Sequence, residues 1–215
     1  MAKMRWELLG TSVGLKLLMA ASGLLWTGWV VLHMAGNLLV FAGPETINGY
    51  GAVLQGSPLL WVMRAGLLAL LAVHVTSAAL LTRRARGAKG RYQRRLAARD
   101  STLASRTMRW GGLFILLFLV YHLVHIYGPL HAAYVPGDVH HNLVVGLSDP
   151  LAGSLYVLAT LVFGLHLHHG TWSMFRTLGL ERVPKLRRVT GAGSALITLG
   201  FLAPCVASMT GLLSA

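Results

Sequence analysis

Five stretches of this chain contain no Asp, Glu, Lys or Arg: 17–44, 65–82, 110–137, 150–175 and 189–215. A helix needs about 20 apolar residues to cross the hydrocarbon of a bilayer, and each stretch is near or above that length. Polarity does not alternate along them as it would along barrel strands. Backbone polar groups in lipid must bond within their own segment, which leaves helices. The expected fold is an all-α integral membrane protein with five transmembrane helices near 14–41, 60–82, 110–128, 152–175 and 189–213, forming one domain over 1–215. Only 12% of the 215 residues are charged, about half the usual fraction of a soluble domain.

Lys3 and Arg5 could form the basic head of a signal peptide. The apolar stretch that follows is too long for one and lacks a convincing cleavage site, so the first segment is expected to remain. Cys205 is the single cysteine, which excludes an internal disulfide or a thiolate cluster and fits a small core residue.

The net charge of +13 invites a nucleic-acid reading, but its distribution opposes one. Ten of the nineteen basic residues lie between Arg83 and Arg109, five between Arg176 and Arg188, and three are Lys3, Arg5 and Lys16. The connections 42–59 and 129–151 contain none. This positive-inside pattern places the N-terminus in the cytoplasm and the C-terminus outside, in the inner (cytoplasmic) membrane. The basic loops suit anionic lipid headgroups or a docked cytoplasmic partner.

That orientation sorts the histidines by depth. At 1.5 Å per residue, His33 lies roughly 25 Å and His122 about 18 Å from the inner ends of helices one and three. His74 and His166 lie roughly 12–13 Å above the inner ends of helices two and four. In an up-down bundle of the first four helices, one and three are diagonal partners, as are two and four. Each diagonal therefore faces two histidines across the interior, one pair outer and one inner. A haem fits between facing imidazoles. Zinc wants three or four ligands, and no carboxylate lies nearby; proton relays generally include Asp or Glu. Gly36, Asn37 and Gly170 lie one turn beyond a histidine, and Ser22 sits at the inner-pair depth, leaving room for a macrocycle. Ordinary helix packing favours the same small residues.

His166 and His169 share a helix face, whereas His168 points about 160° from His166. Depth favours His166 as the ligand opposite His74; His169 could contact a propionate, a quinone or headgroups. Depth leaves His122 and His125 open. Arg64, the one basic residue of the outer half, could pair with an outer-haem propionate or snorkel to headgroups. Tyr121, Trp26, Trp29 and Trp172 read as packing or interfacial residues. Glu45, Asp138 and Asp149 read as loop and cap residues, and His131, His140 and His141 as solvated loop residues.

The runs HMAGNLLVFAGPETIN (33–48), HVTSA (74–78), YHLVH (121–125), VVGLSDPL (144–151) and HLHHGTWSMFRTLG (166–179) resemble the single-chain, five-helix cytochrome b subunit of succinate dehydrogenase and fumarate reductase. The resemblance implies two b haems: an outer one on His33 and His122, and an inner one on His74 and His166. It selects His122 over His125 and His166 over His169, leaving His125 and His169 as secondary contacts. It implies a flavoprotein and an iron–sulfur protein on the cytoplasmic face, and menaquinone or ubiquinone in the membrane. The chain would anchor the complex and carry electrons without performing succinate chemistry. A di-haem b subunit of a formate- or hydrogenase-type enzyme, and a histidine-using transporter, are the alternatives.

Overall fold

In a computed structural model of the chain, residues 10–88, 103–128, 130–131, 133–180 and 183–215 are described. Lys3, Arg5 and the basic run within 89–102 lie outside the described residues. Those described contain helices and no strand.

Five helices are long and apolar enough to cross a membrane: α1 (Ser12–Leu38), α3 (Leu59–Ala88), α4 (Leu103–Ile126), α6 (Pro150–Thr177) and α7 (Pro184–Met209). Two shorter helices, α2 (Pro44–Gly56) and α5 (Val139–Ser148), occupy connections that the sequence reads as loops. Local chemistry marks most of the ends. The Thr11 hydroxyl accepts from Gly14 N at 3.0 Å and starts α1. A short 3₁₀ turn, Leu39–Ala42, follows α1 and stops at Gly43, whose φ of 96° suits glycine. Pro44 then opens α2, and Pro150 and Pro184 open α6 and α7, where a missing N–H costs nothing. The Asp138 and Asp149 carboxylates cap α5 and α6, accepting from His141 N at 2.9 Å and Ala152 N at 2.7 Å. Both acidic residues therefore do the cap chemistry their sequence positions suggest.

α3 and α4 extend past the apolar stretches, α3 through Arg83, Arg84 and Arg86 and α4 back to Leu103. Arginine is a good helix former, so the helix outlasts the hydrocarbon-compatible segment. These arginines, with Lys16, Arg109, Arg176 and Arg187, define a basic end of the molecule. Arg84 ties that end together, donating to Gly10 O at 2.7 Å and Ser12 Oγ at 3.4 Å.

α1 packs on α3, α4 on α6, and α1 on α6, so α3, α1, α6 and α4 follow one another around a ring. The side between α3 and α4 is not closed by close backbone packing. α7 lies behind α1 and α6. Glycines bring it close: a Cβ on Gly164 would collide with Thr198, and one on Gly200 with Met34, the small-residue contact favoured between helices in lipid. α7 also reaches inward, with Phe201 5.9 Å from the His33 ring and the Cys205 thiol buried against Phe201 O.

At the end opposite the basic one, α2 and α5 form a cover. Val40, Ile47 and Val144 make its buried core. Asn48 joins the two helices, donating to Asp138 Oδ1 at 3.0 Å and accepting from His140 N at 2.9 Å. Ser148 Oγ donates to Ser208 O at 3.1 Å and fastens the cover to α7.

Candidate functional site: two facing histidine pairs along one cavity

The four helices line a partly open cavity of about 2030 Å³ that runs from Lys16, Arg86 and Arg109 at the basic end to Tyr134 and Gly137 beneath the cover. That is roughly twice the ~1,000 Å³ upper range of pockets for single small ligands. Leu and aromatic side chains are the commonest groups in its walls, with Gly, Ala, Met and seven histidines among the rest.

Two histidine pairs face each other across it at different depths. The His33 and His122 ring centres are 5.9 Å apart with planes at 76°. The His74 and His166 ring centres are 6.4 Å apart with planes at 66°. The His74–His166 pairing is the one depth favours, and the His33–His122 pairing is the one the resemblance selects where depth leaves His122 and His125 open. A metal ion bonded to two imidazoles at roughly 2.0–2.1 Å, with about 1.1 Å from nitrogen to ring centre, would set the centres about 6.3 Å apart. Both pairs lie close to the separation of two imidazoles bonded to one metal from opposite sides. No cluster of three or more His, Cys, Asp or Glu able to hold a bare metal ion occurs among the described residues.

The rings are fixed differently at the two depths. At the basic-end pair, His74 Nδ1 lies 3.1 Å from Met19 O and 3.4 Å from Ser22 Oγ. The carbonyl can only accept, so Nδ1 carries the proton and Nε2 keeps its lone pair. Ser22 is 2% exposed and is itself held by Leu18 O at 2.7 Å, so it serves this ring rather than the cavity wall. His166 Nδ1 is buried and makes no hydrogen bond of good geometry, although the Met108 backbone lies near it. Two glycines that sequence reasoning did not single out sit against these rings. A Cβ on Gly23 would stand 3.2 Å from His74 Cε1, and one on Gly112 would stand 3.4 Å from His166 Cε1.

At the far pair, aromatic side chains one helical turn away brace the rings, as residues four apart do. Trp29 stacks on His33 at 6.1 Å and 11°, and Phe118 on His122 at 5.9 Å and 29°. Tyr156 Oη lies 3.1 Å from His122 Nδ1 and 3.1 Å from His125 Nδ1. Tyr156 was not singled out from sequence. Lying ten residues before His166, about 15 Å along α6, it reaches the depth of His122, which is the signal that could have found it.

The remaining candidates fall as follows. His125 is 5% exposed and lies between Tyr121 and His131. His169 lines the cavity, whereas His168 turns toward Gly191 on α7. Gly36 lines the cavity but faces Tyr50, whose ring a Cβ there would meet at 2.8 Å. Gly170 lines it beside Met108. Arg64 donates to Tyr127 Oη at 2.6 Å and lies over the Trp61 ring at 4.9 Å, at the far mouth of the cavity. Trp26, on the cavity wall between the two pairs, has a buried indole N–H without a partner.

Two loop histidines are not solvated as their sequence context suggests. His131 is 7% exposed, with Nε2 donating to Asn142 O at 2.9 Å; His140 is 6% exposed beneath the cover. The fold of α5 over the cavity mouth buries both. His141 is partly exposed and bonds Ala133 O at 3.1 Å.

No protein-family model matches this chain, and no curated protein or solved structure matches it either.

Proposed function

We propose that this chain is a five-helix, di-haem cytochrome b that anchors a succinate dehydrogenase/fumarate reductase-type complex in the inner (cytoplasmic) membrane. One observation carries the haem reading: two histidine pairs face across a single lengthwise cavity, with ring centres 5.9 and 6.4 Å apart. The donor set fits a porphyrin better than a bare ion. Each pair supplies two neutral imidazoles and no third ligand, and the cavity offers apolar walls of the length two macrocycles need. Trp26 Nε1, buried on the cavity wall without a hydrogen-bond partner, leaves a donor free for a bound group.

In this reading His33 and His122 hold the outer haem, and His74 and His166 the inner one. Bound there, the haems supply one-electron carriers between an iron–sulfur partner and menaquinone or ubiquinone. The chain's residues do the rest. Met19 O and Ser22 orient His74, and Gly23 and Gly112 leave space beside the inner ring pair. Arg64, already paired with Tyr127, retains N–H groups for an outer propionate. Apolar side chains surround much of the space around the imidazoles. The basic end, facing the cytoplasm, offers arginines to a flavoprotein and an iron–sulfur protein, and to anionic lipid. No succinate chemistry occurs on this chain.

The succinate assignment rests on the sequence runs around His33, His74, His122 and His166. It is tested by purifying the chain from its native membrane in mild detergent. Co-purification of a flavoprotein and an iron–sulfur protein, with b-type absorbance reducible by succinate, is the expected result. Reduction by formate or hydrogen instead would move the chain to another quinone-linked dehydrogenase.

A further inference from the structure

Tyr156 and His125 occupy the centre of the far-end cluster, yet neither faces a histidine across the cavity as a ligand pair. Tyr156 Oη is 3.1 Å from Nδ1 of both His122 and His125. A phenol hydroxyl has one proton, so it can donate to at most one of these nitrogens, and it can accept from the other. We propose that Tyr156 is the positioning residue of the outer haem ligand, and that His125 sets the direction of its hydrogen bond. This inference rests on the di-haem reading above and assigns two residues that the reading leaves without a role.

The proton directions follow from the ligand requirement. A neutral imidazole that presents the Nε2 lone pair to iron carries its proton on Nδ1. His122 must then donate to Tyr156, which frees the Tyr156 proton for His125 Nδ1, the other nitrogen within 3.1 Å. His125 therefore carries its own proton on Nε2. Reversing the bond would place the His122 proton on Nε2 and remove the lone pair the metal needs.

The surroundings hold this arrangement in place. The Tyr156 ring packs edge-on against Phe118 at 5.0 Å. The His125 ring stacks on Tyr121 at 5.4 Å and 15°, and on His131 at 5.2 Å and 17°. His131 is pinned in turn by Asn142 O. Gly146 makes the stack possible, because a Cβ there would stand 2.8 Å from His131 Nε2 and 3.0 Å from His125 Cε1. His125 is thus held as an acceptor for Tyr156, one turn from the ligand. Groups that bond the outer nitrogen of a ligating imidazole fix its tautomer and raise its basicity, and such bonds tune haem potentials.

The test is a redox titration of both haems, followed optically and by low-spin electron paramagnetic resonance, in the intact complex. Tyr156→Phe keeps the ring and removes the hydroxyl. Weaker electron donation from His122 should favour the reduced iron. The outer haem should become easier to reduce by about tenfold in equilibrium constant, 59 mV for one electron, with the inner haem unmoved. His125→Leu removes the acceptor and should perturb the same haem while retaining it, whereas His122→Ala should abolish it. Two bound haems with unchanged potentials and spectra in Tyr156→Phe would overturn the proposal. So would loss of the haem in His125→Leu with retention in His122→Ala, since His125 would then be the ligand. A shift in Tyr156→Phe with none in His125→Leu would overturn the assigned proton direction. A wild-type complex without b-type absorbance would instead overturn the di-haem reading itself, and this proposal with it.

Discussion

The two histidine pairs hold their rings at nearly the same separation, 5.9 and 6.4 Å, but from different materials. The His74–His166 pair is set by backbone and by absence: a Met19 carbonyl orients one ring, and glycines stand beside both. The His33–His122 pair is set by side chains: Trp29 and Phe118 brace the rings, and Tyr156 bonds one of them. A carbonyl accepts in one sense only, so it fixes a tautomer unaided. A hydroxyl can bond either way and needs a second group to orient it, which accounts for the crowd of aromatic and imidazole rings at that depth. The lesson is that similar ligand geometry can be reached by a rigid route and by an adjustable one. Side-chain substitutions should therefore tune the far pair and mostly only break the near one.

The largest expected effects break the pairs outright. His74→Ala and His166→Ala should each remove the same haem signal and leave the other at full intensity, and His33→Ala and His122→Ala should do the converse. Loss of both signals from every single substitution would show that the two depths are not independent. Next come the glycines. Gly23→Leu or Gly112→Leu should cut the inner-haem content severely by filling the space beside its ligands, measured as haem per polypeptide. Gly28→Leu, where an added Cβ meets nothing within 4 Å, should leave the content unchanged.

A smaller effect separates the pairs by sign. Arg64→Leu removes a positive charge from the far mouth and should make the outer haem harder to reduce, opposite in direction to Tyr156→Phe. Its shift should be the smaller of the two, because solvent and headgroups screen a charge at the cavity mouth. A shift of the inner haem instead would place Arg64 outside the outer site.

The smallest expected effect concerns the cover over the far pair. The Asp138 carboxyl is held below the usual carboxylate range by the His141 backbone N–H and the Asn48 amide. A lowered native pKa means that the cap stabilises the fold above the unfolded value, about 4, and that this stabilisation is lost as pH falls through the native value. Asp138→Ala should cost α5 about 1 kcal/mol, read as faster amide exchange over 139–148, with the difference from wild type vanishing in acid.

Much of this was legible in the chain because the bilayer imposes simple arithmetic. The five spans follow from where charge is absent. Rise per residue sets His74 opposite His166, and His33 opposite either His122 or His125; the choice of His122 came from the resemblance. The helical cover was not legible, since α2 and α5 are short, bounded by Gly and Pro, and held by packing against each other and against α6 and α7. The burial of His131 and His140 depends on that cover, so local polarity misplaced them. Spacing left Gly36 to a macrocycle or to ordinary helix packing, and it is the ring of Tyr50, on the unforeseen α2, that lies against it. Tyr156 was missed because its importance comes from two histidines on another helix.

The most direct measurement is the haem count of the purified, intact protein, from a dithionite-reduced minus oxidised spectrum calibrated against polypeptide. Two b-type haems per chain, falling to one in either His74→Ala or His122→Ala, is the result this account predicts. A colourless wild-type protein, or a single haem lost only on substituting His168 or His169, would contradict it.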